Sequence, residues 1–148
     1  MPRTLLSFIC SVVLAFGCAG SNQGEAQSPP PTAADDGEVQ AARGAKLYAA
    51  RCALCHGASG EGSREGPPVV GKDALPRDPR PNQKYRKSQF NTALDVAQFV
   101  SKNMPPKNPG SLSESEYWDI VAFDLKANGV SVAGKHIDVS SAANIKLH

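Results

Sequence analysis

Two cysteines three positions apart with a histidine directly behind the second constrain this chain more than anything else in it. They are Cys52, Cys55 and His56, in the stretch ARCALCHGASG. The setting of the motif narrows its chemistry. The chain opens MPRTLLSFICSVVLAFGCAG, with Arg3 as a positive head and an apolar run from Thr4 to Gly17. That run has the length of an export-signal core and is too short to span a bilayer. Residues 1–17 are therefore expected to be a removed signal peptide, and Cys10 leaves with it. An exported chain meets an oxidising compartment, where two free thiols tend to oxidise. Cys52 and Cys55 must then form a disulfide, hold a metal or serve as a covalent attachment point.

Cys18 falls at the expected cleavage point. Its placement resembles the bacterial lipoprotein signal, in which the first mature residue is a cysteine that becomes lipid-modified. Ala15 stands where that pattern prefers a large aliphatic residue. The resemblance implies a membrane anchor at Cys18 on the periplasmic side. Residues 18–34 are rich in Ser, Gln, Gly, Ala and Pro, with the run Pro29-Pro30-Pro31. They hold little to bury and read as a tether.

The folded part is expected over residues 35–130 and is all-α. Asp35 or Asp36 can cap a first helix, with Glu38 in its opening turn. Ala41, Gly44, Leu47, Tyr48 and Arg51 share or neighbour one face at helical spacing. A glycine inside a helix costs stability, so Gly44 marks a close approach by another element. Residues 57–87 are rich in Gly and Pro without periodicity, and a loop of that length in a small domain wraps something. NTALDVAQFVSKN reads as a second helix, capped at Asn91 or Thr92, with Thr92 and Asp95 in a capping box. Met104-Pro105-Pro106 ends it. A last helix starts at the capping box of Ser113 and Glu116 and stops at Gly129. It is apolar nearly all round, with a wet stripe at Ser115, Asp119 and Lys126, so it is expected to be buried on more than one side. Residues 131–148 read as a weakly structured tail.

Cys-x-x-Cys-His is the attachment signature of haem c. Two cysteines at this spacing can add to the two vinyl groups of one porphyrin edge, and the adjacent histidine then lies beneath the iron as proximal ligand. The competing readings are a redox pair and half of a zinc site. A zinc site needs a second tight Cys/His pair, which the sequence lacks, and a thioredoxin-like pair needs strands alternating with helices. For the sixth iron position the candidate is Met104, about fifty residues beyond His56. It directly precedes Pro105, which pushes its backbone into an extended form and lets the sulfur turn inward. His136 is the runner-up.

These features resemble the class I monohaem cytochrome c family over Glu38 to Asn128. The likeness rests on Cys52 to His56, on Gly44 and Tyr48, on Met104-Pro105-Pro106 and on WDIVAF, Trp118 to Phe123. It also rests on GPPVVG, Gly66 to Gly71, where Val69 replaces the more usual leucine. The resemblance implies a cytochrome c-like fold of three main helices and a long loop around one covalent haem. It implies that Pro67 offers its carbonyl to His56, a bond that would fix the ring.

With His56 and Met104 both on iron, no site is open to substrate. The expectation is a single-electron carrier, not an enzyme. The alternative is a haem-based sensor or peroxidase-like module with a displaceable distal ligand. The expected partners are redox proteins: an oxidase, a quinol-oxidising complex or a dehydrogenase. A net charge of +2 gives no reason to expect nucleic-acid binding, and a monomer is expected. Charge is nonetheless unevenly placed. Residues 72–87 carry six cations, Lys72, Arg77, Arg80, Lys84, Arg86 and Lys87, against Asp73 and Asp78, a balance of +4. The last helix carries Glu114, Glu116, Asp119 and Asp124 against Lys126, or −3. The basic loop is expected either to be solvated surface, with a residue such as Arg80 or Arg86 near a haem propionate, or to border the exposed haem edge and steer an acidic partner.

Overall fold

The computed structural model describes residues 36–148. The expected signal, Cys18 and the tether lie outside the described residues. Among the described residues five helices follow in order: α1 Gly37–Arg51, α2 Ala53–His56, α3 Ala93–Asn103, α4 Glu114–Ala127 and α5 Val139–Ala142. Among the described residues there is no strand, and none of the helices is long and apolar enough to cross a membrane.

The helix starts are fixed by side chains that satisfy free amide groups. Asp36 accepts from the Glu38 N–H ahead of α1. Thr92 with Asp95 and Ser113 with Glu116 form complete capping boxes ahead of α3 and α4. Helix α3 stops at Met104, whose φ of −121° and ψ of 145° are extended, as the following proline requires. Gly129 leaves α4 at φ +82°, a left-handed exit that glycine takes without strain.

Helices α1 and α4 cross at Gly44. A Cβ there would stand 1.9 Å from the Asp119 carbonyl oxygen and 2.9 Å from the Phe123 Cβ. Beside the crossing, the Tyr48 and Phe123 rings lie 4.9 Å apart. The buried cluster behind it joins Ala41, Ala93, Ala97, Val121, Ala122 and Leu125 to Val132, Ile137 and Ala142.

Three expectations are corrected. Asp119 does not lie on a wet stripe: it is 1% exposed, and Arg43 reaches across from α1 to grip both carboxylate oxygens at 2.8 Å. Buried charge is tolerated here because a bidentate partner is supplied. Arg86 is not solvated surface either. It is 3% exposed, lies 4.0 Å over the Phe90 ring and donates to the carbonyls of Pro76 and Asp78. Residues 131–148 are packed rather than weakly structured. Val132, Ile137 and Ala142 are fully buried. Gln40 donates to the Ile137 carbonyl and accepts from the Ile137 N–H. Further along, Ala93 N–H donates to Ile145 O and Leu147 N–H to Asn91 O, so the chain end fastens α1 to α3. Its apolar residues are single and widely spaced, so no period betrays them.

Candidate functional site

Between α1, α3, α4 and the long loop the chain leaves an apolar cleft, and the sequence-predicted residues line it. Cys52, Cys55, His56, Pro67 and Met104 all line it. Its empty volume, adjoining solvent included, is ≈ 1200 Å³. Phe90, Val96, Phe99, Val100 and Ile120 supply apolar walls from α3, α4 and the loop.

Local geometry fixes His56. Cys52 caps α2 as α1 ends, so the two cysteines and the histidine follow one another around a single helical turn. The His56 Nδ1 lies 2.7 Å from the Pro67 carbonyl oxygen. A carbonyl only accepts, so Nδ1 carries the proton and donates, and Nε2 keeps its lone pair for a metal. Gly66 makes this approach possible: a Cβ there would come within 2.9 Å of the Cys55 carbonyl oxygen and 3.1 Å of the His56 ring. The loop is stitched to the motif by Gly62 N–H to His56 O at 2.7 Å and by Ser63 Oγ to Cys55 O at 2.5 Å. Tyr48 secures the exit, donating to Gly57 O at 2.8 Å.

Met104 is held by its backbone. Its N–H donates to Val100 O at 2.8 Å, and its carbonyl accepts from the Tyr117 hydroxyl at 2.8 Å. Sequence reading missed Tyr117. The available signal was a tyrosine on a buried helix face, whose hydroxyl needs a partner. His136, the runner-up, does not line the cleft.

Electrostatics divide the cleft. Burial pushes the Cys52 thiol up to about 11, with Asp124 and Cys55 adding to it. Burial likewise raises the Tyr48 hydroxyl to about 12. Cys52 and Cys55 form no disulfide, and no three His, Cys, Asp or Glu side chains cluster for a metal among the described residues. The donor set suits a flat apolar macrocycle: two thiols at one edge, one imidazole with a free lone pair and one thioether. Asp124 also lines the cleft, and sequence reading gave it no role beyond surface charge.

A helix pair crossed at a glycine, a long loop and an apolar slot edged by Cys-x-x-Cys-His together define a class I c-type cytochrome domain. The pattern of the family described as cytochrome c oxidase, cbb3-type, subunit III matches residues 39–123, more than half of the chain. The chain belongs to that family, and its cofactor is covalently bound haem c. It is also similar to the thiosulfate dehydrogenase of Stutzerimonas stutzeri strain A1501, at 30% identity over 74% of this chain and 34% of the relative. It is 33% identical to the thiosulfate dehydrogenase of Allochromatium vinosum over 64% of this chain and 34% of that protein. The chain thus spans about a third of the length of these relatives. Among solved structures, the sulfane dehydrogenase SoxCD of Paracoccus pantotrophus is similar at 28% identity and a TM-score of 0.53, over 76% of this chain and 58% of the other. These relatives correct one expectation. The expectation that the chain is not an enzyme is contradicted by relatives that are named for dehydrogenase activity. The error came from reasoning about the iron alone: a filled iron excludes substrate at that iron, not participation in an enzyme's reaction.

Proposed function

We propose that this chain is the haem c electron-transfer module of an exported dehydrogenase system acting on sulfur compounds of the thiosulfate or sulfane type. Cys52 and Cys55 would carry the haem by thioether bonds, and His56 and Met104 would be its axial ligands. Haem held this way supplies one-electron chemistry at a raised potential. The chain's own residues do the rest. Pro67 keeps His56 in the Nδ1-protonated tautomer, Tyr117 and Val100 hold the backbone of Met104, and Phe90, Phe99 and Val100 keep water from the porphyrin face. The sulfur-compound setting is supported by the thiosulfate and sulfane dehydrogenases to which the chain is similar.

The observation that supports the electron-transfer reading is that Cys52, Cys55, His56 and Met104 all line one apolar cleft, with His56 Nδ1 held by the Pro67 carbonyl. The test is Met104→Ala. Haem should remain attached through Cys52 and Cys55, the potential should fall, and the iron should bind carbon monoxide. An unchanged spectrum and potential would remove Met104 as a ligand. Carbon monoxide binding by the wild type would favour the sensor or peroxidase-like reading.

Residues 1–34 complete the proposal: export, lipidation at Cys18 and a tether that lets the domain reach redox partners on the periplasmic side. Cys18→Ser should release a membrane-bound holoprotein into the soluble fraction. Wild-type protein that is already soluble after export would rule the anchor out.

A further inference from the structure

Two carboxylates on α4 are buried, and the fold treats them oppositely. Asp119 receives both ends of the Arg43 guanidinium. Asp124 has no such grip: among the described residues its Oδ1 has no hydrogen-bond partner, and the residue is 5% exposed. Asp124 follows Ile120 by one helical turn, and both line the haem cleft. A carboxylate thus stands where an apolar wall would serve a haem best. An unmatched buried charge is expensive, and such a group neutralises itself by holding a proton.

Among the described residues no neighbouring cation relieves it. Tyr48 on α1 and Cys52, which caps α2, face it, both neutral at ordinary pH. The Tyr48 hydroxyl is committed to Gly57, and the Cys52 thiol is consumed when haem attaches. Arg51 lines the same cleft but is exposed at its rim. From α2, His56 donates to Pro67. Glu61, in the loop, accepts from the Ser59 N–H. From α3 the cleft wall is apolar. On α4 itself Lys126 is paired with Glu38. Of the loop's other charges on the cleft, Arg80 and Arg86 are turned to backbone carbonyls, and Glu65 is exposed.

We propose that Asp124 is a proton-binding site coupled to the haem electron. When the one-electron donor reduces ferric iron in the cleft, the Asp124 carboxylate takes one proton from solvent and an O–H bond forms. When the electron leaves, that bond breaks and the proton returns to solvent. Charge in the cleft is then the same before and after transfer. The coupling is electrostatic: iron loses one unit of positive charge on reduction, and at the low effective dielectric of a buried site the carboxylate senses it. Burial raises the Asp124 carboxyl well above the usual carboxylate range, which brings its proton exchange toward neutral pH.

The inference requires haem in the cleft but not Met104 as a ligand. The experiment is spectroelectrochemical titration of the holoprotein across about pH 6 to 9, together with infrared redox difference spectra. Mass measured on unfolded protein first establishes that haem is covalently present; its absence would defeat the haem reading itself. With haem present, the wild-type potential should fall as pH rises, with a limiting slope of about 59 mV per pH unit for one proton per electron. A protonated-carboxyl band should appear on reduction. Asp124→Asn should give a potential independent of pH, close to the acid limb of the wild type, and should lose the band. A wild-type potential flat with pH, or a slope and band that survive in Asp124→Asn and Asp124→Leu, would overturn the proposal. If neither variant accumulates, a wild type lacking the carboxyl band still refutes it.

Discussion

Gly44→Ala tests the helix crossing that places the cleft. Two opposing effects are known in advance. Replacing a mid-helix glycine by alanine favours the helix by about 1 kcal/mol. Against it, the new Cβ would lie 1.9 Å from the Asp119 carbonyl oxygen and 2.5 Å from its carbonyl carbon. Ordinary contact begins near 3.4 Å, so α4 must retreat by 3.4 − 1.9 = 1.5 Å. The obstructing atoms are backbone, so no rotamer change relieves them. Retreat also loosens the Tyr48–Phe123 contact and draws Ile120 and Asp124 away from the haem. Overpacking of this kind costs about 1–3 kcal/mol, and more where backbone must move. Because the obstruction is backbone, the cost falls at the top of that range, and the expected net loss is about 2 kcal/mol. Urea unfolding of the holoprotein, followed by far-ultraviolet dichroism and haem absorbance, measures it at constant slope. A Gly44→Ala variant as stable as wild type, or more stable by the propensity gain, would refute this close crossing.

Tyr117→Phe removes one hydrogen bond to the Met104 carbonyl, so unfolding should become about 1 kcal/mol easier, and the iron should admit carbon monoxide that the wild type excludes. Arg43→Met leaves the Asp119 carboxylate buried and unmatched; the loss should reach about 3 kcal/mol, and Arg43→Met with Asp119→Leu should recover most of it. For pH, the sign follows from Asp124, whose carboxyl is raised from 3.8 to about 8 on folding. The unfolded chain releases that proton first, so its contribution is fully present below pH 3.8 and is lost as pH rises toward 8. The loss is at most about 6 kcal/mol, and Asp124→Asn should flatten that limb of a stability-against-pH curve.

Much of the fold is readable because its signals are local. Thr92 with Asp95 and Ser113 with Glu116 announce helix starts by side-chain chemistry alone, and Gly44 announces a crossing because nothing else explains a glycine there. The cleft residues are legible for the same reason: Cys52, Cys55 and His56 are contiguous, and Met104 is marked by Pro105. What escaped depends on partners far along the chain. Asp119 reads as wet until Arg43, 76 residues away, is placed beside it. Arg86 reads as surface charge until the loop folds its carbonyls around it. Tyr117 and Asp124 read as ordinary helix residues until the faces they occupy are known. The closing segment is opaque because Val132, Ile137 and Ala142 gain meaning only from Gln40 and Ala93, which lie on other helices.

X-ray absorption at the iron edge of the purified holoprotein, oxidised and reduced, tests the central claim most directly. An electron-transfer haem held by His56 and Met104 predicts one sulfur and five nitrogen neighbours in both oxidation states, with the sulfur lost in Met104→Ala. An iron without a sulfur neighbour in either state, or one that gains an oxygen ligand on oxidation, would contradict it.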